Sequence, residues 1–171
     1  MNLVFETQRL QLKPVSEDEL DILQHIFTDP YVRRYLCDGN ILTLQQVEET
    51  LSESQKLFNE KKLGLWLIRT KDNQEVIGVT GLWYFFEEEQ PQLVYALLPQ
   101  ATKKGYATEA ATRILKYCFD VGYQYLMASC DRPNLESCKV AERIGMSQVE
   151  ERIVNGNPLL FFRIERNRAT S

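Results

Sequence analysis

The stretch Lys103-Lys104-Gly105-Tyr106-Ala107-Thr108-Glu109-Ala110-Ala111 constrains this chain more than any other. Residues 93–98, Leu-Val-Tyr-Ala-Leu-Leu, read as a strand that Pro99 stops. Downstream, Ala107, Ala110, Ala111, Ile114, Leu115 and Cys118 recur at helical spacing and form one apolar face, ended by Gly122. A glycine turn between a strand and a helix aims free backbone N–H groups and the positive end of the helix dipole at one point. An anion, most often a phosphate, sits well there. Gly105 has no Cβ, so a ligand can come close to its backbone. The three-glycine dinucleotide fingerprint and the Gly-Lys-Ser/Thr loop are both absent. An ordinary turn with no ligand fits the same spacing, so the rest of the chain must decide.

With 171 residues the expectation is one domain, 1–171, with a real core. A net charge of −4 argues against nucleic acid as the main partner and is compatible with a cationic substrate. No apolar run approaches the ~20 residues of a membrane span. Glu6 and Arg9 interrupt any signal-peptide pattern, so a cytoplasmic location is expected. Cys37, Cys118, Cys130 and Cys138 lack metal-ligand spacing and read as reduced, mostly buried thiols, with no metal expected.

In chain order, residues 3–13 alternate around Leu10 and Leu12 as a strand. Ser16 with Glu19, Asp29-Pro30, and Thr43 with Gln46 are three helix starts. The third helix carries Leu44, Val47, Leu51 and Phe58 on one face. Residues 63–70 and 75–84 are strands joined by a turn at 71–74, followed by the acidic loop Glu87-Glu88-Glu89 and the strand at 93–98. Residues 123–130 form a further strand, and Asn134 caps a helix running to Ile144. Residues 146–154 and 159–164 pair around Asn155-Gly156. This order gives an α+β (α/β) fold, a mixed sheet covered by helices. Its one right-handed crossover requires a parallel pair flanking the glycine-turn helix.

The glycine stretch resembles the acetyl-CoA pyrophosphate loop of the GNAT N-acetyltransferases, Gln/Arg-x-x-Gly-x-Gly/Ala, with Thr102 at the Gln/Arg place. Gly105-Tyr106-Ala107-Thr108-Glu109-Ala110 and Thr7-x-Arg9-Leu10-x-Leu12 resemble the branch of the RimJ/RimL-type ribosomal-protein N-terminal acetyltransferases. Asn134-x-x-Ser137, followed by Gly145-Met146, is similar to the family's Asn-x-x-Ser…Gly-Phe segment, with Met146 in place of Phe.

The resemblance implies a sheet whose parallel pair splays apart to admit acetyl-CoA. Lys103, Lys104, Gly105, Tyr106, Ala107 and Thr108 would hold its pyrophosphate, and backbone N–H groups at Leu97 and Leu98 its thioester oxygen. The Asn134 amide would bind the pantetheine arm, and the Ser137 hydroxyl would lie by the thiol as the catalytic proton donor. Lys139 could reach a phosphate. Many relatives carry a tyrosine acid where this chain has Ala141, and the branch often has a glutamate base where it has Gln92. The acceptor would lie on a wall built from residues 16–60 with Trp83 and Tyr84.

Three more residues have plainer readings. His25 falls on the polar side of its helix, Glu109 is a structural carboxylate in a first turn, and Cys130 has no histidine partner in view. The implied activity is direct acetyl transfer from acetyl-CoA to a primary amine: a protein N-terminus, a polyamine or another small amine such as an aminoglycoside. The implied assembly is a monomer or homodimer. Thr102, Gln92 and Ala141 keep open an alternative, a CoA-binding sensor without turnover.

Overall fold

The computed structural model describes residues 2–36, 39–85 and 89–169, of which the side chains of 168 and 169 are left aside. Cys37, Glu87 and Glu88 lie outside the described residues. The strands are β1 (Phe5–Glu6), β2 (Leu10–Pro14), β3 (Leu65–Thr70), β4 (Val76–Trp83), β5 (Gln92–Leu97), β6 (Tyr125–Asp131), β7 (Ser147–Val154) and β8 (Asn157–Glu165). The helices are α1 (Leu20–Thr28), α2 (Pro30–Leu36), α3 (Leu44–Lys61), α4 (Tyr106–Asp120), α5 (Leu135–Arg143) and α6 (Arg166–Ala169).

The strands form one sheet in the order β1-β2-β3-β4-β5-β6-β8-β7. Neighbours are antiparallel except β5 and β6. Those two share a single register pair, Gln92 with Met127, and no ladder joins them beyond it. The parallel pair expected from the crossover is therefore present, and it is paired only at its base.

Both faces of the sheet are covered, and β3 shows how. Its Trp66 and Ile68 enter the core cluster that contains α4 and α5, while Leu65 and Leu67 enter the one built with α1, α2 and α3. Strand alternation thus sends successive apolar residues to opposite layers. Fully buried Leu10, Leu12, Leu23 and Ile26 each contribute about 1.5–3 kcal/mol by leaving water.

Local chemistry sets most boundaries. Glu19 Oε1 accepts from the Ser16 N–H at 3.1 Å, and Thr43 Oγ1 accepts from the Gln46 N–H at 3.1 Å. Asp29 Oδ1 accepts from the Tyr31 and Val32 N–H groups at the start of α2. Asn155 and Gly156 have φ of 52° and 81°, the two left-handed residues of a two-residue hairpin joining β7 to β8.

Two expectations shift. The first strand is two, because the Thr7 N–H turns back to the Leu10 carbonyl at 2.9 Å. Leu44 is exposed and Phe58 half-buried, so Val47, Leu51, Ser54 and Leu57 form the covered face of α3.

Candidate active site

A cavity of about 470 Å³ runs between the parted ends of β5 and β6. One end meets the turn before α4 and the last turn of α5, through Thr102, Lys103, Gly105, Tyr106, Ala107, Thr108 and Arg143. The middle is walled by Leu97 and Tyr95 of β5, Ser129, Cys130 and Asp131 of β6, and Asn134 and Ser137 at the start of α5. The other end meets Tyr31, Val32, Tyr35 and Leu36 of α2, with Phe85 after β4.

The α4 end has the makings of an anion site. Gly105 occupies the N-cap position with φ 82°, a left-handed conformation that favours glycine. It offers no side chain to the first-turn N–H groups of Tyr106, Ala107 and Thr108. Thr108 Oγ1 is buried with no hydrogen-bond partner. Lys103, itself at φ 64°, supplies a cation at the wall. A Cβ on Gly105 would lie 3.3 Å from Arg9 Nη2, so the positive φ constrains this position more than crowding does. Lys104 is not on the cavity wall; its carbonyl accepts from Arg9 Nη1 at 2.9 Å.

Glu109 fixes this turn to the N-terminal strands, as a structural carboxylate should. It accepts from Thr7 Oγ1 at 2.5 Å, the Arg9 N–H at 2.9 Å and Arg9 Nε at 2.7 Å. Burial pushes its pKa up, but these donors and the Arg9 charge outweigh it and hold the carboxyl below its ordinary value.

Hydrogen bonding decides which backbone groups of β5 face the gap. The Leu98 N–H donates to the Ile77 carbonyl at 2.8 Å, so it is committed to β4 and Leu98 is not on the wall. The alternation of an antiparallel ladder then turns the N–H groups of Leu97 and Tyr95 toward β6 and the gap. Of the two residues expected to polarise a thioester, Leu97 turns its N–H to the gap and Leu98 turns its N–H to β4.

Asn134 caps α5: its Oδ1 accepts from the Ser137 N–H at 3.3 Å. The carbonyl half of the amide is thus engaged in the cap while the residue still lines the cavity. Ser137 is half-buried at the wall. Its backbone carbonyl accepts a 2.8 Å hydrogen bond from the Tyr95 hydroxyl, which reaches across from β5. Burial pushes the Tyr95 phenol well above its ordinary pKa, while the Ser137 side chain and the Ala141 N–H act the other way. A phenol therefore stands close to Ala141, where sequence reasoning found no hydroxyl.

Several residues stand elsewhere than the sequence suggested. Trp83 and Tyr84 are not on the cavity wall: Trp83 packs between the two core layers, and Tyr84 receives Lys61, whose Nζ lies 4.6 Å from its ring centroid. Strand β4 ends at Trp83, and Phe85 is the aromatic that turns to the cavity. Gln92 is 1% exposed beneath the wall, with its Oε1 accepting from Ser129 Oγ at 2.6 Å. Lys139 is exposed and off the wall, whereas Arg143, one turn on, is on it. Last-turn basic residues ordinarily read as partners of the helix dipole, which masked Arg143 in the sequence. His25, by contrast, is exposed on α1, on the polar side where the sequence put it, and is off the cavity wall. Among the described residues no cluster of three or more His, Cys, Asp or Glu is placed to hold a metal, and no helix is long and apolar enough to cross a membrane.

Comparison with known proteins agrees with this geometry. The GNAT acetyltransferase domain model matches residues 9–147. The uncharacterized N-acetyltransferase YoaA of Bacillus subtilis (strain 168) is 24% identical over 117 residues, 68% of this chain and 66% of that relative, just under two thirds of its length. A putative GNAT-family acetyltransferase from Bordetella pertussis shares the fold with a TM-score of 0.81 at 23% identity, over 95% of this chain and 99% of the other. RimL, a ribosomal L7/L12 alpha-N-protein acetyltransferase solved in complex with coenzyme A, shares it with a TM-score of 0.80 at 13% identity, over 95% and 97%. The splayed strands, the uncapped helix at one end of the gap and the matching domain model together make this chain an acyltransferase of the GNAT N-acetyltransferase family.

Proposed function

We propose that residues 1–171 act as one RimJ/RimL-like domain that transfers an acetyl group from acetyl-CoA directly to a primary amine, with a protein N-terminus as the acceptor. The observation that carries this reading is the continuous cavity. It links an anion-suited helix end to an aromatic wall by way of the parted strands. The unpaired Thr108 hydroxyl, the first-turn N–H groups of α4, Lys103 and Arg143 suit a pyrophosphate. The likeness in fold to RimL, an alpha-N-protein acetyltransferase solved with coenzyme A, supports both the cofactor and the acceptor class.

Acetyl-CoA supplies an activated acetyl thioester. This chain's residues position and polarise. The N–H groups of Leu97 and Tyr95 face the gap, where they can donate to a thioester oxygen as charge builds on it. The Asn134 amide N–H donors orient the pantetheine arm. The Ser137 hydroxyl sits in the first turn of α5 and gives a proton or hydrogen bond to the departing thiolate. The Tyr95 phenol, held protonated by burial, fixes the position of Ser137. Tyr31, Tyr35 and Phe85 receive the acceptor.

A second reading, a polyamine or other small polycation, draws on the carboxylates Asp131 and Glu136 at the same wall. The test is thiol release from acetyl-CoA against N-terminal peptides, polyamines and aminoglycosides, with mass spectrometry of products. An Nα-acetylated peptide supports the first reading and an acetylated polyamine the second. An O-acetyl product, or no product with any amine, counts against both.

A further inference from the structure

Two thiols that acetyl transfer does not use meet at the cavity wall and just behind it. Cys130 lies on β6 and lines the cavity, and Cys138 follows Ser137 in the first turns of α5. They are 6% and 7% exposed, and their Sγ atoms are 2.8 Å apart. A disulfide needs about 2.05 Å, so closing the pair requires roughly 0.8 Å of further approach. The movement would fall on the turn that carries Asn134 and Ser137, and on the carbonyl that holds Tyr95.

We propose that Cys130 and Cys138 are an oxidisable pair, which a peroxide entering the cavity closes into an intramolecular disulfide, and that closure weakens the acetyl-CoA site. The chemistry balances. A thiolate attacks one peroxide oxygen, giving a sulfenic acid and releasing the other oxygen as water. The second thiol then displaces water from the sulfenic sulfur. The Sγ–Sγ bond forms, the two thiols give up two protons and two electrons, and the peroxide becomes two waters. Burial pushes both thiols up, so the pair stays protonated and slow to react at rest. Mutual contact, and the place of Cys130 on the cavity wall, distinguish this pair from Cys118, which is buried on α4.

The 171-residue chain is treated with hydrogen peroxide, quenched, denatured and alkylated. All four cysteines of the reduced chain take label; after oxidation two are expected to do so, with mass lower by two hydrogens and full recovery by dithiothreitol. Proteolysis after Glu136 separates Cys130 from Cys138, so their peptides should stay joined until reduced. Cys130→Ala and Cys138→Ala should label at three sites before and after treatment. Four labelled thiols in the treated wild type, or peptides that part without reductant, would overturn the pairing.

The effect on affinity rests on the acetyl-CoA reading. By calorimetry the oxidised protein should bind acetyl-CoA at least fivefold more weakly than the reduced protein. Equal affinity overturns the coupling. No binding by either form instead overturns the acetyl-CoA reading, and the peptide map judges the thiol pair independently.

Discussion

The hydroxyl of Tyr95 donates to the backbone carbonyl of Ser137 at 2.8 Å, tying β5 to the first turn of α5 across the gap between the parted strands. A tie between walls that share no ladder at that height keeps the gap at a set width. Tyr95→Phe removes a hydrogen bond that this helical carbonyl accepts from outside α5, at a cost of about 0.5–1.5 kcal/mol. In a chain of this size, thermal unfolding should show Tm lowered by roughly 1–6 °C. An unchanged Tm would mean that the tie contributes nothing to the fold.

Gly105→Glu addresses the anion site. It forces a side chain onto a residue at φ 82° and places a carboxylate beside the uncapped end of α4. Calorimetry on the folded variant should show acetyl-CoA affinity reduced on the order of tenfold or more, given like-charge contact at a helix N-terminus. Equal affinity would place the cofactor elsewhere.

Glu109 and Glu19 predict how the fold responds to acid. Burial raises the pKa of each, but donors outweigh it: Thr7 and Arg9 around Glu109, and Arg69 and Ser16 around Glu19. A carboxyl with a depressed folded pKa takes up its proton more readily in the unfolded chain. Its stabilisation is complete above the unfolded value of about 4.3 and is lost as pH falls through the folded value. Tm measured from pH 7 down to pH 3 should drop below about pH 5, and Glu109→Gln should flatten that drop. If the Glu109→Gln protein keeps the wild-type pH profile, Glu109 plays no part in the acid response.

What could be read in the sequence was local. The turn before α4, the Asn134 cap and the Asn155-Gly156 hairpin each lie within a few residues, where capping and backbone sterics decide the outcome. Tyr95 and Ser137 are 42 residues apart, and Arg9 and Glu109 are 100 apart, so their meeting depends on the whole topology. The choice between Leu97 and Leu98 hinged on the register of β4, which alternation alone cannot give. The same holds for Trp83, Tyr84 and Phe85: periodicity separates two faces without saying which one the cavity opens on.

The acceptor wall follows from that last distinction. Phe85→Ala should raise KM for the amine by up to roughly tenfold, the value of one lost aromatic contact, with acetyl-CoA affinity unchanged. Tyr84→Ala removes a ring that faces Lys61 and should leave acceptor KM as it is. Steady-state kinetics with the acceptor found in the product screen would decide. A larger effect at Tyr84 than at Phe85 would return the acceptor to the wall inferred from sequence.

Ser137→Ala separates turnover from binding. Ser137 lies in the first turn of α5, near the positive end of its dipole, where a developing thiolate is stabilised. Its backbone holds two contacts that alanine keeps, the N–H to Asn134 Oδ1 and the carbonyl to Tyr95. The substitution therefore removes the hydroxyl and leaves the local framework in place. Loss of one transition-state donor costs on the order of 10²-fold in rate, so kcat should fall by that much while Kd for acetyl-CoA stays within a few-fold. If affinity is lost and kcat is kept at saturating cofactor, Ser137 only binds. If Ser137→Ala is silent while Tyr95→Phe lowers kcat on the order of 10²-fold, the proton comes from the buried phenol instead.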